Sequence, residues 1–200
     1  MLGPAPMTDL TGQQWDMAMI GADQAHLIND GSRDVVVGVL DSGVDPTHPD
    51  LAAAIAPEES AGCVGGRADP SPRAWAPTNS AHGTHVAGTI AAADEYAVCG
   101  FMWAAEHGMN VTNSSYFVDP WLFTCSSDGQ RVVRESLRRA VEYASSRGVV
   151  NIAAATNEAV DMANPPQPRC RVLPAGLRGV VAVSSVGADQ VKAGYSAYGL

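Results

Sequence analysis

The sequence contains no run of about 18 apolar residues, which excludes a membrane-spanning helix. It is also poor in positive charge: 12 Lys and Arg stand against 21 Asp and Glu in 200 residues, a net charge of -9. With no Lys/Arg cluster to track phosphates, neither nucleic acid nor an anionic membrane is an expected partner. The N-terminal "MLGPAPMTDLTGQQW" lacks a basic head followed by an apolar stretch, so it does not read as a signal peptide. Paired C-x-x-C spacing is missing too. The four cysteines, Cys63, Cys99, Cys125 and Cys170, point to two disulfides in preference to a zinc site. Three connectivities stay open, and four buried thiols are the alternative.

What is present is enough for one core. At 46% hydrophobic, the chain reads as one α/β domain, with residues 1–33 as a lead-in. The β-branched run "DVVVGVL" (34–40) has the profile of a strand buried in a parallel sheet, and "MNVTNSSY" (109–116), "VVNIAAAT" (149–156) and "GVVAVSSVG" (179–187) read as further strands. Between them 82–95 and 95–108 read as helices, the second ending at a glycine. In 129–148 apolar residues recur at 132, 133, 137, 140, 141 and 144, an amphipathic helix stopped by Gly148. The Pro-, Gly- and Arg-rich intervals 56–80 and 158–178 read as loops. This alternation implies a doubly wound, mostly parallel sheet with helices on both faces, where ligands bind beyond the carboxyl ends of strands.

Those strand ends carry the chemistry. Asp41 follows the first strand directly, and His82 opens a helix whose Gly83, Ala87 and Gly88 are small enough for tight packing. An aspartate accepting the imidazole Nδ1 proton fixes the tautomer and leaves Nε2 free to take a proton from a hydroxyl, the carboxylate and base of a nucleophilic hydrolase. Singly, such an Asp is usually a turn residue and such a His a surface side chain. The pair His82 and His85 also suggests a metal site, but no third ligand stands at a plausible spacing.

The blocks "VVGVLDSGVDPTHPDL" (36–51) and "HGTHVAGTIAA" (82–92), in that order, resemble the Asp and His blocks of the subtilisin-like serine proteases. "VVNIAAATNE" (149–158) resembles the family's turn presenting the oxyanion asparagine, with Asn157 in place. "NVTNSSYF" (110–117) resembles the wall of the specificity pocket, and 179–199 the segment following the oxyanion turn. The resemblance implies Asp41 and His82 as triad members, Asn157 as oxyanion donor, and Asn113, Ser115, Tyr116 and Thr156 as substrate-binding residues. It implies a polypeptide substrate or protein inhibitor as partner, a monomer, secretion of the intact protein, and no cofactor for the chemistry. The resemblance leaves room for a structural calcium in the intact family member. Asp50 matches a position that often supports it, but no tight site of that kind is expected here.

Departures from the pattern are equally specific. Thr156 stands where the family has glycine, and Tyr116 and Phe117 where a Leu-Gly pair is usual. The family's Gly-Thr-Ser-Met-Ala block, which carries the nucleophile, is not in the sequence. Two helices also follow one another across 82–108, where a parallel sheet demands a strand between crossovers. The expected account is an internal deletion of roughly 30 residues, one supersecondary unit, near Asp94 and Glu95, with a genuine two-helix variation as the alternative. The expectation is therefore a partial peptidase domain over 34–200, inactive by itself. A non-catalytic peptide-binding relative is the competing reading.

Overall fold

The structure, a computed structural model, describes residues 11–29, 31–77, 80–89, 97–118 and 120–199. Four parallel strands, β1 (Val37–Leu40), β2 (Val111–Ser114), β3 (Val150–Ala154) and β4 (Val180–Val183), lie side by side in chain order. Each is shorter than the strand-like stretch read from the sequence (34–40, 109–116, 149–156 and 179–187), because the ladder ends where the chain turns toward the next crossover. Short helices α1 (Trp15–Met19) and α2 (Ala22–His26) form the lead-in, and α3 (Pro72–Trp75) sits in the long loop after β1. The longer helices are α4 (His82–Thr89), α5 (Ala97–Glu106) and α6 (Asp128–Ser146), of which α5 and α6 carry the core.

Helices α5 and α6 pack against each other and against one face of the sheet. Phe101 and Ala105 meet Leu137, Ala140, Val141 and Ala144 in a core that takes in Val149, Leu173 and Leu177. Burying side chains of this size contributes about 1.5–3 kcal/mol for each of the larger ones. The approach of α5 to β1 is close: a Cβ at Gly38 would run into Met109, and one at Gly100 into Leu40. The apolar stripe of α6 is the expected one except at Val132, which is 63% exposed; Val133, the next position round the helix, is the more sheltered of the two. Gly148, at φ 89°, supplies the left-handed residue that ends the helix.

On the covered face the strands bring polar groups that the strand signals do not announce. Thr112 donates its hydroxyl to Asn151 Oδ1 at 2.8 Å, and Asn151 Nδ2 donates to Ser145 Oγ of α6 at 3.0 Å. This chain ties β2, β3 and α6 in register where burial would otherwise penalise both side chains. The opposite face keeps Val37, Val150, Val181 and Val183 between 37% and 54% exposed. Among the described residues, no strand intervenes between β1 and β2, which pair directly from Val37↔Val111 to Leu40↔Ser114. The proposed junction at Asp94 and Glu95 lies outside the described residues.

Both expected disulfides form, and the connectivity is Cys63–Cys99 and Cys125–Cys170. The first fastens the loop after β1 to α5. The second closes a separation of 45 residues, joining the start of α6 to the loop before β4. Loop-closure entropy for such a span gives about 4 kcal/mol, and measured losses run about 2–5 kcal/mol. Replacing Cys125 and Cys170 together by serine is expected to lower stability by that amount in urea unfolding. An unchanged midpoint would show that the second bridge constrains nothing.

Candidate active site

β1 ends directly in Asp41, and the turn after it docks onto the opening of α4. Gly43, at φ 92°, has the backbone of Trp75 and Ala76 so close that a Cβ would meet Trp75 O at 2.8 Å. The Asp-Ser-Gly turn therefore needs its glycine. Ser42 Oγ accepts the Gly83 N–H at 3.1 Å, and Ser80 Oγ accepts the His82 N–H at 3.1 Å. Both hydroxyls satisfy N–H groups that a helix start leaves without intrahelical partners. Asp45 N–H donates to Thr84 Oγ1 at 3.0 Å. The Asp45 carboxylate in turn accepts from the Thr47 hydroxyl and N–H, which hold its pKa below the usual carboxylate value. The strand end and the helix start are thus fixed to one another before the catalytic side chains are considered.

His82 Nδ1 stands 2.5 Å from Asp41 Oδ2. Asp41 is buried, its side chain 5% exposed, while that of His82 is 53% exposed. The second carboxylate oxygen accepts the Ser42 N–H at 2.6 Å. A buried carboxylate so held presents a fixed acceptor to Nδ1–H, so Nε2 is the basic nitrogen of the neutral ring, on the more exposed side chain of the pair. No described residue is hydrogen-bonded to Nε2.

Asp41 and His82 open onto a cavity of about 1040 Å³ that is also lined by Ser80, Ser115, Tyr116, Phe117 and Asn157. Of the sequence candidates, Asp41, His82, Asn157, Ser115 and Tyr116 are therefore brought together. Asn113 is not on the wall and reaches it through its amide, which donates to Ser115 Oγ at 2.9 Å. Thr156 is buried behind Asn157 at 8% exposure and does not line the cavity. Ser42 and Ser80 were not among the candidates, although their places in the Asp-Ser-Gly turn and before the helix start are the signal that marks them.

Thr156 has φ 98°, a region that a β-branched residue enters only under strain. Its carbonyl accepts the Ala197 N–H at 3.0 Å, which helps hold the turn that presents Asn157. Thr156→Gly relieves strain of about 1–3 kcal/mol against a glycine entropy cost of about 0.5–1 kcal/mol. The variant is expected to be more stable by about 1 kcal/mol, a rise in melting temperature of about 2–4 °C. A lower melting temperature would show that the threonine side chain contributes more than the strain removes.

Among the described residues, no three His, Cys, Asp or Glu side chains converge as metal ligands would. His85 has no such partner set. Asp50 is exposed, with its N–H directed to His48 Nδ1 at 3.3 Å.

A parallel α/β sheet with an Asp–His pair at a strand end is an arrangement that nucleophilic hydrolases use to hold their base. The model of the subtilase family matches residues 32–106, a span holding both the Asp and the His block. The thermostable alkaline protease of Halalkalibacterium halodurans is 30% identical over 92% of this chain and 50% of its own length. Fervidolysin of Fervidobacterium pennivorans is 27% identical over 89% of this chain and 27% of its own. The chain is similar to the subtilisin-like proteases over most of its length, and its residues 32–106 match the subtilase family. It spans about a quarter to a half of the length of these two relatives. Their similarity runs over 216 aligned residues, more than the 200 of this chain, so they carry residues with no counterpart here. The crystal structure of a lanthipeptide protease has the same fold, with a TM-score of 0.79 at 23% identity over 96% of this chain and 61% of that one.

Proposed function

We propose that residues 34–200 form part of a subtilisin-like serine endopeptidase domain and contribute the acid, the base and the oxyanion donor of peptide-bond hydrolysis. Asp41 holds the Nδ1–H tautomer and stabilises the imidazolium. His82 Nε2 takes the proton of the attacking hydroxyl and returns it to the leaving amine. Asn157 donates to the developing oxyanion, a contact whose loss costs about 3–4 kcal/mol in subtilisin-type catalysis. The substrate is a polypeptide in the cavity past Ser115 and Tyr116. The nucleophile is a serine outside the described residues. The setting in which the protein acts is extracellular, and it acts as a monomer.

The observation that carries this reading is the 2.5 Å contact between Asp41 and His82, with Asn157 on the wall of the same cavity. Its test is a serine-directed phosphonate probe. The 200-residue chain is expected to remain unlabelled, and a version extended with a family Ser block and the missing unit to become labelled in a His82-dependent manner. Labelling of the short chain that disappears in His82→Ala would place the nucleophile within it. An extended, folded version that is never labelled would favour the non-catalytic, peptide-binding reading.

A further inference from the structure

The turn that presents Asn157 holds two non-glycine residues at positive φ, Thr156 at 98° and Ala159 at 52°. A backbone of this kind persists only where its surroundings over-determine it. The surroundings here are the segment 195–198. Ala159 N–H donates to Tyr195 O at 2.7 Å, Ala197 N–H to Thr156 O at 3.0 Å, and Tyr198 N–H to Val160 O at 3.1 Å.

That segment is itself held by Lys192, the single lysine of the chain. Its ammonium donates to Ala193 O and to Ser196 O, both at 2.8 Å, and lies 5.3 Å from the centre of the Tyr198 ring. A compact cation with three donors suits two converging carbonyls and a ring face. Ser196 O belongs to the same peptide plane as Ala197 N. In this trans peptide the C=O and the N–H point in opposite directions, so the ammonium that holds Ser196 O also aims Ala197 N–H at Thr156 O. Thr156 O belongs in turn to the peptide plane that ends in Asn157 N. Two peptide planes therefore connect Lys192 to Asn157, and a charge-assisted bond at one end of such a chain polarises and strengthens the next. Other anchors of the segment act elsewhere: Ser185 N–H donates to Ser196 Oγ at 2.8 Å, and the Ser184 hydroxyl to Ala197 O at 2.7 Å. Neither touches the peptide group between Ser196 and Ala197.

We propose that Lys192 is a positioning residue for Asn157: its ammonium sets the Ser196–Ala197 peptide, which holds the Thr156–Asn157 turn and keeps Asn157 on the wall of the cavity of Asp41 and His82. The consequence for rate rests on the reading of Asn157 as oxyanion donor. The hold on the turn does not.

The test starts with the 200-residue chain. In Lys192→Met the Ala197 amide is expected to exchange with solvent deuterium about tenfold faster, while amides of α6 and β3 keep their rates. The resonance of the Asn157 side-chain amide is expected to shift. Lys192→Arg, which keeps the charge and the donors, should restore both. In the version extended with the Ser block and the missing unit, Lys192→Met should lower kcat about tenfold at an unchanged KM, a part of the about 10²–10³ lost with an oxyanion donor. In an Asn157→Ala background the same replacement should cost nothing further, because it acts through that side chain. Unaltered exchange at Ala197, equal effects of the Met and Arg replacements, acceleration at all amides alike, or a loss of kcat that persists in Asn157→Ala would each overturn the proposal. An extended version without His82-dependent turnover would sink the peptidase reading alone, and exchange at Ala197 would still decide whether Lys192 holds the turn.

Discussion

Incubated with an unfolded protein substrate, the 200-residue chain is expected to show no turnover dependent on His82. Catalysis of this kind requires a nucleophile, and in subtilisin loss of the serine or of the histidine alone costs about 2 × 10⁶ in kcat, nearly as much as loss of the whole triad. His82 Nδ1 stands 2.5 Å from Asp41 Oδ2, so on the proposed reading the expected deficit is that of the nucleophile and not of the pair. A residual rate of about 10³–10⁴ over water comes from the oxyanion donor and substrate binding in an intact site. In this chain the strand edge beside that site is unpaired among the described residues, so even the residual should fall. The comparison is with a version that restores the unit of roughly 30 residues and the Ser block, assayed for peptide release alongside the same version carrying His82→Ala. Equal, His82-dependent turnover by the short and extended chains would contradict the assignment.

Asp41→Asn in that extended version is expected to lower kcat by about 10⁴ with a small effect on the melting temperature. The reason is visible in the two carboxylate oxygens. Oδ1 accepts the Ser42 N–H at 2.6 Å, a bond that an asparagine oxygen can keep, so the strand-end turn survives. The amide nitrogen would then face Nδ1 as a donor and favour the opposite tautomer, with the proton on Nε2. A ring in that state cannot accept the proton of the nucleophile. If kcat falls together with a large loss of stability, Asp41 is supporting the fold more than the base. An unchanged kcat would remove Asp41 from the triad.

The legible parts of the sequence were those in which local pattern and tertiary role coincide. "DVVVGVL" before Asp41 was legible as a strand, though not as the buried one expected, since β1 stands at the edge of the sheet and only Gly38 of the run is buried; His82 opens a helix as its block suggested. The stripe at Leu137, Ala140, Val141 and Ala144 was readable because one helical period serves one core. Less could be read where the same residue type serves different ends. Val132 and Val133 are alike in sequence, but only packing against α5 tells which faces the protein. Asn113 and Thr156 sit in the right blocks, yet one stands behind Ser115 and the other beneath Asn157. Local sequence does not specify which way a strand-end side chain is turned.

By itself, the sequence determined a parallel α/β domain of subtilisin type, with Asp41 after a strand and His82 at a helix start, because these are encoded in contiguous residues whose spacing is set by strand and helix geometry. Only the tertiary structure decided that Cys63 pairs with Cys99 and Cys125 with Cys170, and that Thr112, Asn151 and Ser145 join across the covered face. It also decided that β1 stands at the edge of the described sheet, with the cavity of Asp41 and His82 running along it. Each of these is a contact between residues far apart in the chain. Its existence depends on how the strands are ordered and which segments the core brings together, and that information is distributed over the whole sequence rather than written at any one place in it.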